Sequence, residues 1–203
     1  MGRNDVSYRL LKRNELPLDT VALARFLIGK IVVRELGDAR LSGRIVETEA
    51  YPVGDEAGHA YRGETPRNRT LFLRRGHAYV YQAYGISWLL NVSSEEAGVG
   101  AGTLIRALEP LEGVMWMQQH RGVEKLYDLT RGPGRLAAAL DIDRALDGVD
   151  LCRKGPLWLA QDAYVAPKIG VSARIGLSRA ADQKLRFYVR GNRFVSGPKN
   201  LGA

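Results

Sequence analysis

A chain of 203 residues with 45% hydrophobic content fits one domain with a substantial core, and its single cysteine, Cys152, excludes an internal disulfide and any Cys-rich zinc site. Thirty Lys and Arg against 22 Asp and Glu leave a net charge of +8, which suits a polyanionic partner such as nucleic acid. No apolar run is long enough to span a membrane, and residues 1–7 carry no hydrophobic targeting signal, so the expected compartment is reducing cytoplasm.

The first predicted element is a helix from Thr20 to Ile28, capped by Asp19 and closed by Gly29, with Val21, Ala24, Leu27 and Ile28 at helical spacing. Lys30 to Leu36 reads as a strand, Gly37-Asp38 as a turn, and Leu41 to Tyr51 as the hairpin partner. Pro52 to Arg69 is a long polar loop, and loops of that length in a compact domain tend to be functional. A second hairpin runs from His77 to Ala83, turns at Tyr84-Gly85, and returns from Ile86 to Ser93. Gly98 to Gly102 is a connection, and Thr103 to Leu108 a strand with Leu104, Arg106 and Leu108 on one face, ended by Glu109-Pro110. Leu111 to His120 is a helix candidate, and Gly132-Pro133-Gly134 opens another that runs through Leu140. Leu151 to Ala160 is ambiguous, and Leu185 to Arg190 alternates as a strand. Strand pairs followed by helices, without βαβ alternation, predict an α+β fold: one compact domain over residues 1–203, built on a curved, mainly antiparallel sheet.

The chemistry-bearing residues gather on and after the Gly43 to Tyr51 strand. Period-two alternation puts Ile45, Glu47, Glu49 and Tyr51 on one face. Buried carboxylates are costly unless paired or used. Glu49 can activate a water as a general base, or it can be a structural partner of Arg44 or Arg106. Glu47 and Glu49, about 6.5–7 Å apart by strand rise, also suit a two-carboxylate carbohydrate glycosidase. That rival leaves the +8 charge unexplained. Tyr84 sits in a predicted turn, where an aromatic side chain has no core to fill and can wedge between bases. Tyr79 and Tyr188 read as ordinary sheet packing. The arginines from Arg62 to Arg75 can neutralise phosphates, so a non-catalytic nucleic-acid binder is a second rival. His59, His77 and His120 lack metal-ligand spacing, and no metal or cofactor is expected.

Several stretches, in this order, closely resemble the alkyladenine (3-methyladenine) DNA glycosylase family of base-excision repair. They are Gly-Arg-Ile-Val-Glu-Thr-Glu-Ala-Tyr51, Asp-Glu-Ala-Gly-His59, Thr-Pro-Arg-Asn-Arg69, Tyr-Val-Tyr-Gln-Ala-Tyr-Gly85, Leu-Asn-Val-Ser-Ser94, Leu-Ile-Arg-Ala-Leu-Glu-Pro-Leu-Glu-Gly113 and Leu-Arg-Phe-Tyr-Val-Arg-Gly191. The resemblance implies a monofunctional enzyme, acting as a monomer, that flips alkylated or deaminated purines out of double-stranded DNA. By the same resemblance Glu49 is the general base, Arg106 helps hold the attacking water, and the backbone carbonyl near Ile175 is a further water contact in the base pocket. Tyr51, His59 and Tyr81 match walls of that pocket, and Asn91 matches the residue that screens purines. Tyr84 matches the intercalating side chain, with Ile86 beside it, and Thr65, Arg67, Asn68 and Arg69 fall in the DNA-binding loop. The implied fold has a protruding hairpin at Tyr84, and the implied location is the cytoplasm, on the nucleoid of a prokaryote.

Overall fold

The computed structural model of the chain describes residues 8–197, so the N-terminal segment 1–7, and with it the reading for targeting signals, lies outside the described residues. The elements in chain order are β1 (Arg9–Leu10), α1 (Thr20–Leu27), β2 (Ile31–Leu36), β3 (Ala39–Tyr51), β4 (Ala78–Ala83), β5 (Ser87–Ser93), β6 (Gly102–Glu112), α2 (Val114–Arg121), α3 (Pro133–Ala139), β7 (Leu157–Gln161), β8 (Ile169–Ser172) and β9 (Arg186–Val189). The strands form one antiparallel sheet in the order β1-β7-β2-β3-β6-β5-β4, and β9 joins β3 with β8 alongside it. The fold is an α+β single domain with an open sheet, as the sequence predicts. Among the described residues no helix is long and apolar enough to cross a membrane.

β3 is the central beam of the sheet. Its first half pairs with β2, its second half with β9 through Glu47, Thr48 and Glu49, and β6 runs along the other edge. The β3–β6 ladder shifts register three times, once between Ser42 and Gly43 and then at two compensating bulges in its middle. Val46 is left out between the pairs Ile45↔Leu108 and Glu47↔Ala107, and Arg106 is left out before Thr48↔Ile105. An extra residue in a strand resets which side its neighbours face. Ile45 and Val46 therefore both enter the main core, as do Ala107 and Leu108. This corrects the simple alternation: Ile45 does not share a face with Glu47, Glu49 and Tyr51, nor Leu108 with Arg106. Beyond the bulge Val46 and Ala50 keep to the core side, and the Thr48 hydroxyl donates to the Ala24 carbonyl of α1 at 2.9 Å. Glu47 and Glu49 are left facing the other way.

α1 forms as predicted, with the Asp19 side chain accepting from the Ala22 amide at 2.7 Å and Leu23, Ala24 and Leu27 buried in the core. α3 begins with Pro133 at its first turn and buries Leu136, Ala137 and Ala139. Two boundaries differ most from the sequence reading, the end of β6 and the start of α2. β6 runs through Pro110 to Glu112. β5 pairs with β6 only over Gly102, Thr103 and Leu104, so Pro110 lies where one edge of β6 has no strand neighbour, and a missing N–H is tolerated there. Leu111 is consequently strand, and α2 starts only after Gly113. That residue sits at φ 73° with Leu41 and the Arg40 carbonyl too close for a Cβ. The ambiguous stretch resolves into β7, which fills the gap between β1 and β2.

The β8–β9 pair delivers the chain after Ser172 to the site. Gly170 packs face-on against Tyr188, where an added Cβ would lie 2.4 Å from the ring. Gly170→Ala is expected to cost about 1–3 kcal/mol by overpacking, read as a lower urea midpoint with unchanged slope. A wild-type midpoint would show that the ring moves freely and that this contact does not fix the pair.

Candidate active site

Glu47 and Glu49 are both fully buried, yet their surroundings differ. Glu47 Oε1 accepts from Arg106 Nε at 2.9 Å, Arg186 Nε at 2.7 Å and Ser196 Oγ at 2.9 Å, and its Oε2 accepts from the Ser196 amide at 2.6 Å. Four donors thus converge on Glu47, three of them on Oε1, and two of the four are buried arginines. Glu49 Oε2 accepts from the Tyr51 hydroxyl at 2.9 Å and Arg106 Nη1 at 3.1 Å, whereas Oε1 accepts only from the Ile175 amide at 2.8 Å. Glu49 thus keeps one acceptor position, on Oε1. Arg106 bridges both carboxylates. Burial alone works against its charge, but Glu49 and Glu47 outweigh that and hold its pKa above the usual value. Arg44, the other arginine the sequence offers as a partner for Glu49, is engaged instead with Asp162 at 2.7 Å.

Tyr51, the hydrogen-bond partner of Glu49, is a wall of a cavity of about 360 Å³ that is also lined by His59, Arg67, Tyr79, Tyr81, Tyr84 and Asn91; Glu49 itself is not among the lining residues. The cavity's size falls within the range of small-molecule pockets, about 300–1,000 Å³. Tyr51, His59, Tyr81 and Asn91, which the sequence places far apart, all meet on this wall. Glu49 lies behind Tyr51 and Tyr81, and burial together with its charge pushes both phenols up, Tyr81 to about 12. Both therefore stay protonated at neutral pH, and Tyr51 remains a donor to the carboxylate. Ile175 reaches the site through its backbone amide on Glu49 and does not line the cavity.

His59 packs edge-on against Tyr81 with ring centres 4.4 Å apart and shares a 2.9 Å hydrogen bond with the Tyr79 hydroxyl. Burial, and then the positive charge of Arg67, lower its pKa, so it is neutral at physiological pH. Tyr79 is more than sheet packing: it holds His59, stacks on Tyr81 with centres 5.3 Å apart, and its carbonyl accepts from the Asn91 amide at 3.3 Å. Sequence alternation gave no sign of this, because the residue that Tyr79 holds comes from the loop.

The hairpin between β4 and β5 ends in Tyr84, Gly85 and Ile86. The Ile86 amide donates back to the Ala83 carbonyl at 3.0 Å, and the ladder resumes at Ala83↔Ser87, so Ile86 belongs to the turn and not to the returning strand as predicted. Tyr84 stands 92% exposed and Ile86 82% exposed. Tyr84 adopts φ 51°, a conformation rarely taken by bulky side chains and found mainly where function requires it.

The polar loop divides its work. Asn68 is buried: its amide donates to the carbonyls of His59 at 2.8 Å and Gly63 at 3.0 Å, and its Oδ1 accepts from the Thr65 amide at 2.7 Å and hydroxyl at 2.9 Å. Asn68 and Thr65 thus shape the loop that carries His59, Asn68 from within and Thr65 from its exposed side. Arg67 and Arg69 remain exposed cations. Among the described residues no cluster of three His, Cys, Asp or Glu side chains forms a metal cage.

One buried pair has no counterpart in the sequence reading. Arg174 Nη2 bonds Asp55 Oδ1 at 3.0 Å and Nη1 pairs with Oδ2, with both side chains wholly out of solvent. The spacing of 119 residues gave no local signal.

The family model described as Methylpurine-DNA glycosylase (MPG) matches residues 14–193. A Mesorhizobium japonicum protein named "Putative 3-methyladenine DNA glycosylase" is 68% identical over 94% of this chain and 92% of its own length. A protein of the same printed name from Paraburkholderia phytofirmans is 52% identical over 99% of this chain and 94% of its own. Another, from Methanoculleus marisnigri, is 44% identical over 88% and 94%.

Proposed function

The chain belongs to the methylpurine-DNA glycosylase family, and we propose that it flips methylated or deaminated purines out of duplex DNA and hydrolyses their N-glycosidic bond with a water activated by Glu49. It is a monofunctional DNA glycosylase, a hydrolase of base-excision repair, and DNA is its partner. The observation that carries the mechanism is the acceptor position left on Glu49 Oε1, in a carboxylate bonded by Tyr51, itself a wall of the tyrosine-lined cavity. A base inside a duplex is out of reach, so it must be extruded at a cost of a few kcal/mol. Tyr84, exposed at the rim of the cavity, can fill the gap in the stack and offset part of that cost.

A 3- or 7-methylated purine is cationic and a good leaving group. The faces of Tyr51 and Tyr81 attract a cation by about 0.5–2 kcal/mol, and neutral His59 adds no opposing charge. Glu49 supplies both a base for the water and a negative charge beside the oxocarbenium-like sugar, while Arg106 and the Ile175 amide hold its carboxylate in place. Hypoxanthine and ethenoadenine, being neutral, leave less readily and test the breadth of the pocket. No lysine lines the cavity, so a Schiff-base route to strand cleavage has no nucleophile. A carbohydrate hydrolase using Glu47 as second carboxylate is disfavoured because four donors already occupy that group. We place the enzyme in the cytoplasm and treat it as acting alone.

The test is release of free base from duplexes carrying 3-methyladenine, 7-methylguanine, hypoxanthine or ethenoadenine. Release of at least one methylated purine, leaving an intact abasic strand, is expected; no release from any duplex sinks the reading. In the same assay Tyr84→Ala is expected to slow excision about 10–100-fold, the loss of one stacking contact of about 1–3 kcal/mol. Unchanged excision by that variant would remove Tyr84 from the flipping step.

A further inference from the structure

We propose that Arg174, clamped by Asp55, is a positioning residue that fixes the base pocket and the water-activating carboxylate in one rigid geometry; this rests on the glycosylase reading above. Its guanidinium joins two stretches remote in sequence, residues 50–55 and 174–180. It pairs with Asp55, it donates through Nη1 to the Ala50 carbonyl at 2.9 Å, and through Nη2 to the Ala180 carbonyl at 3.4 Å. It also stacks over the Tyr51 ring at 4.6 Å.

Each segment carries a working part. Ala50 lies between Glu49 and Tyr51. Asp55 opens the turn that leads to His59, accepting from the Ala57 amide at 3.0 Å and, through its carbonyl, from the Gly58 amide at 2.9 Å. Arg174 itself precedes Ile175, whose amide holds Glu49 Oε1 at 2.8 Å, and Leu177 two residues on lines the cavity. Ile175 lies past the end of β8, so no strand ladder sets the position of that amide. The guanidinium one residue earlier does.

A buried ion pair is a poor way to gain stability, because its desolvation cost rivals its attraction. It is a good way to set geometry, since a bidentate guanidinium fixes its partner in distance and plane where a lysine cannot. Catalytic groups need placement to within about 0.5 Å.

The experiment compares Arg174→Gln, Arg174→Lys and Asp55→Asn with the wild type in three measurements. These are single-turnover excision from a duplex carrying 7-methylguanine, affinity for a duplex carrying a tetrahydrofuran abasic analogue, and the unfolding midpoint. A misplacement of about 1 Å costs on the order of 100-fold in rate. Arg174→Gln leaves Asp55 buried without its counter-charge, so its midpoint is expected to fall; assayed well below that midpoint, it should show the rate loss with abasic-duplex affinity retained. Arg174→Lys should recover part of the rate, and the Asp55→Asn, Arg174→Gln double variant should be no slower than Arg174→Gln alone. Wild-type excision by folded Arg174→Gln overturns the proposal. So does a loss of excision in the folded variant that is matched by an equal loss of abasic-duplex binding, which marks a role in the fold alone. If Arg174→Gln does not fold, the same outcomes are read from Arg174→Lys. A wild type that releases none of the four lesion bases named above instead sinks the glycosylase reading, and this proposal with it.

Discussion

Glu49→Gln is expected to lower single-turnover excision of a methylated purine by about 10²–10⁴-fold, equivalent to about 3–5 kcal/mol of barrier, while binding to lesion duplex is kept or tightened. The substitution preserves shape. One oxygen can still accept from the Ile175 amide or from Arg106, and Arg106 keeps Glu47 as its counter-charge at 2.9 Å. What disappears is the acceptor able to take a proton from water and the negative charge beside the reacting sugar. Removing an anion from the site of a polyanionic ligand also favours binding, so affinity and rate should move in opposite directions. The measurement is a burst of free base at enzyme excess, paired with duplex affinity in the same buffer, because such affinities fall steeply with salt. A Glu49→Gln enzyme that excises at the wild-type rate would sink the general-base assignment. One that neither excises nor binds would show that Glu49 shapes the DNA surface instead.

The two carboxylates look alike in the sequence and part company only in three dimensions. Alternation along β3 was enough to pair Glu49 with Tyr51, because residues two apart on a strand share a face, and the hydroxyl does reach the carboxylate. It was not enough to separate Glu47 from Glu49. The donors that set Glu47 apart come from Arg186 and Ser196, 139 and 149 residues further on. No local pattern reports contacts at that range. The bulges at Val46 and Arg106 were equally hidden: both stretches are apolar enough to read as regular strand, and only the mismatch between the partners reveals the extra residue. Turn chemistry was legible where a glycine or proline marked it, at Gly37, Gly85 and Pro133, and illegible at Gly113, where a proline three residues earlier drew the boundary too soon. The exposed Tyr84 could be read because an aromatic before a glycine between two strands has nowhere to pack. Asn68 could not, since a polar residue in a polar loop gives no hint that its amide is consumed from within.

Glu47 is therefore expected to fail in the opposite way. Glu47→Ala leaves the guanidinium of Arg186, 1% exposed, and that of Arg106, 7% exposed, without their shared partner. Arg106 retains Glu49 at 3.1 Å, but Arg186 retains only the Ser172 hydroxyl at 2.9 Å and the Ser196 carbonyl at 2.8 Å, neither of them charged. Removing one member of a buried ion pair costs about 3–5 kcal/mol, a large part of a typical total of about 5–15 kcal/mol. For a chain of this size that lowers the melting temperature by about 6–20 °C. Glu47→Gln should be milder, because the amide oxygen can still accept from one arginine, yet its NH₂ then confronts the donors of Ser196. At a temperature where Glu47→Gln stays folded, the remaining acceptor on Glu49 is intact and excision should persist within about tenfold. The pair of variants thus forms a crossed test: Glu49→Gln loses chemistry with the smaller drop in melting temperature, Glu47→Gln shows the larger drop and keeps chemistry. Equal loss of excision in both, at full folding, would mean that the two carboxylates act together through Arg106, and would return Glu47 to the catalytic machinery. Arg106 donates to Glu47 through Nε and to Glu49 through Nη1, so that outcome would place the decisive constraint on the arginine and not on either acid.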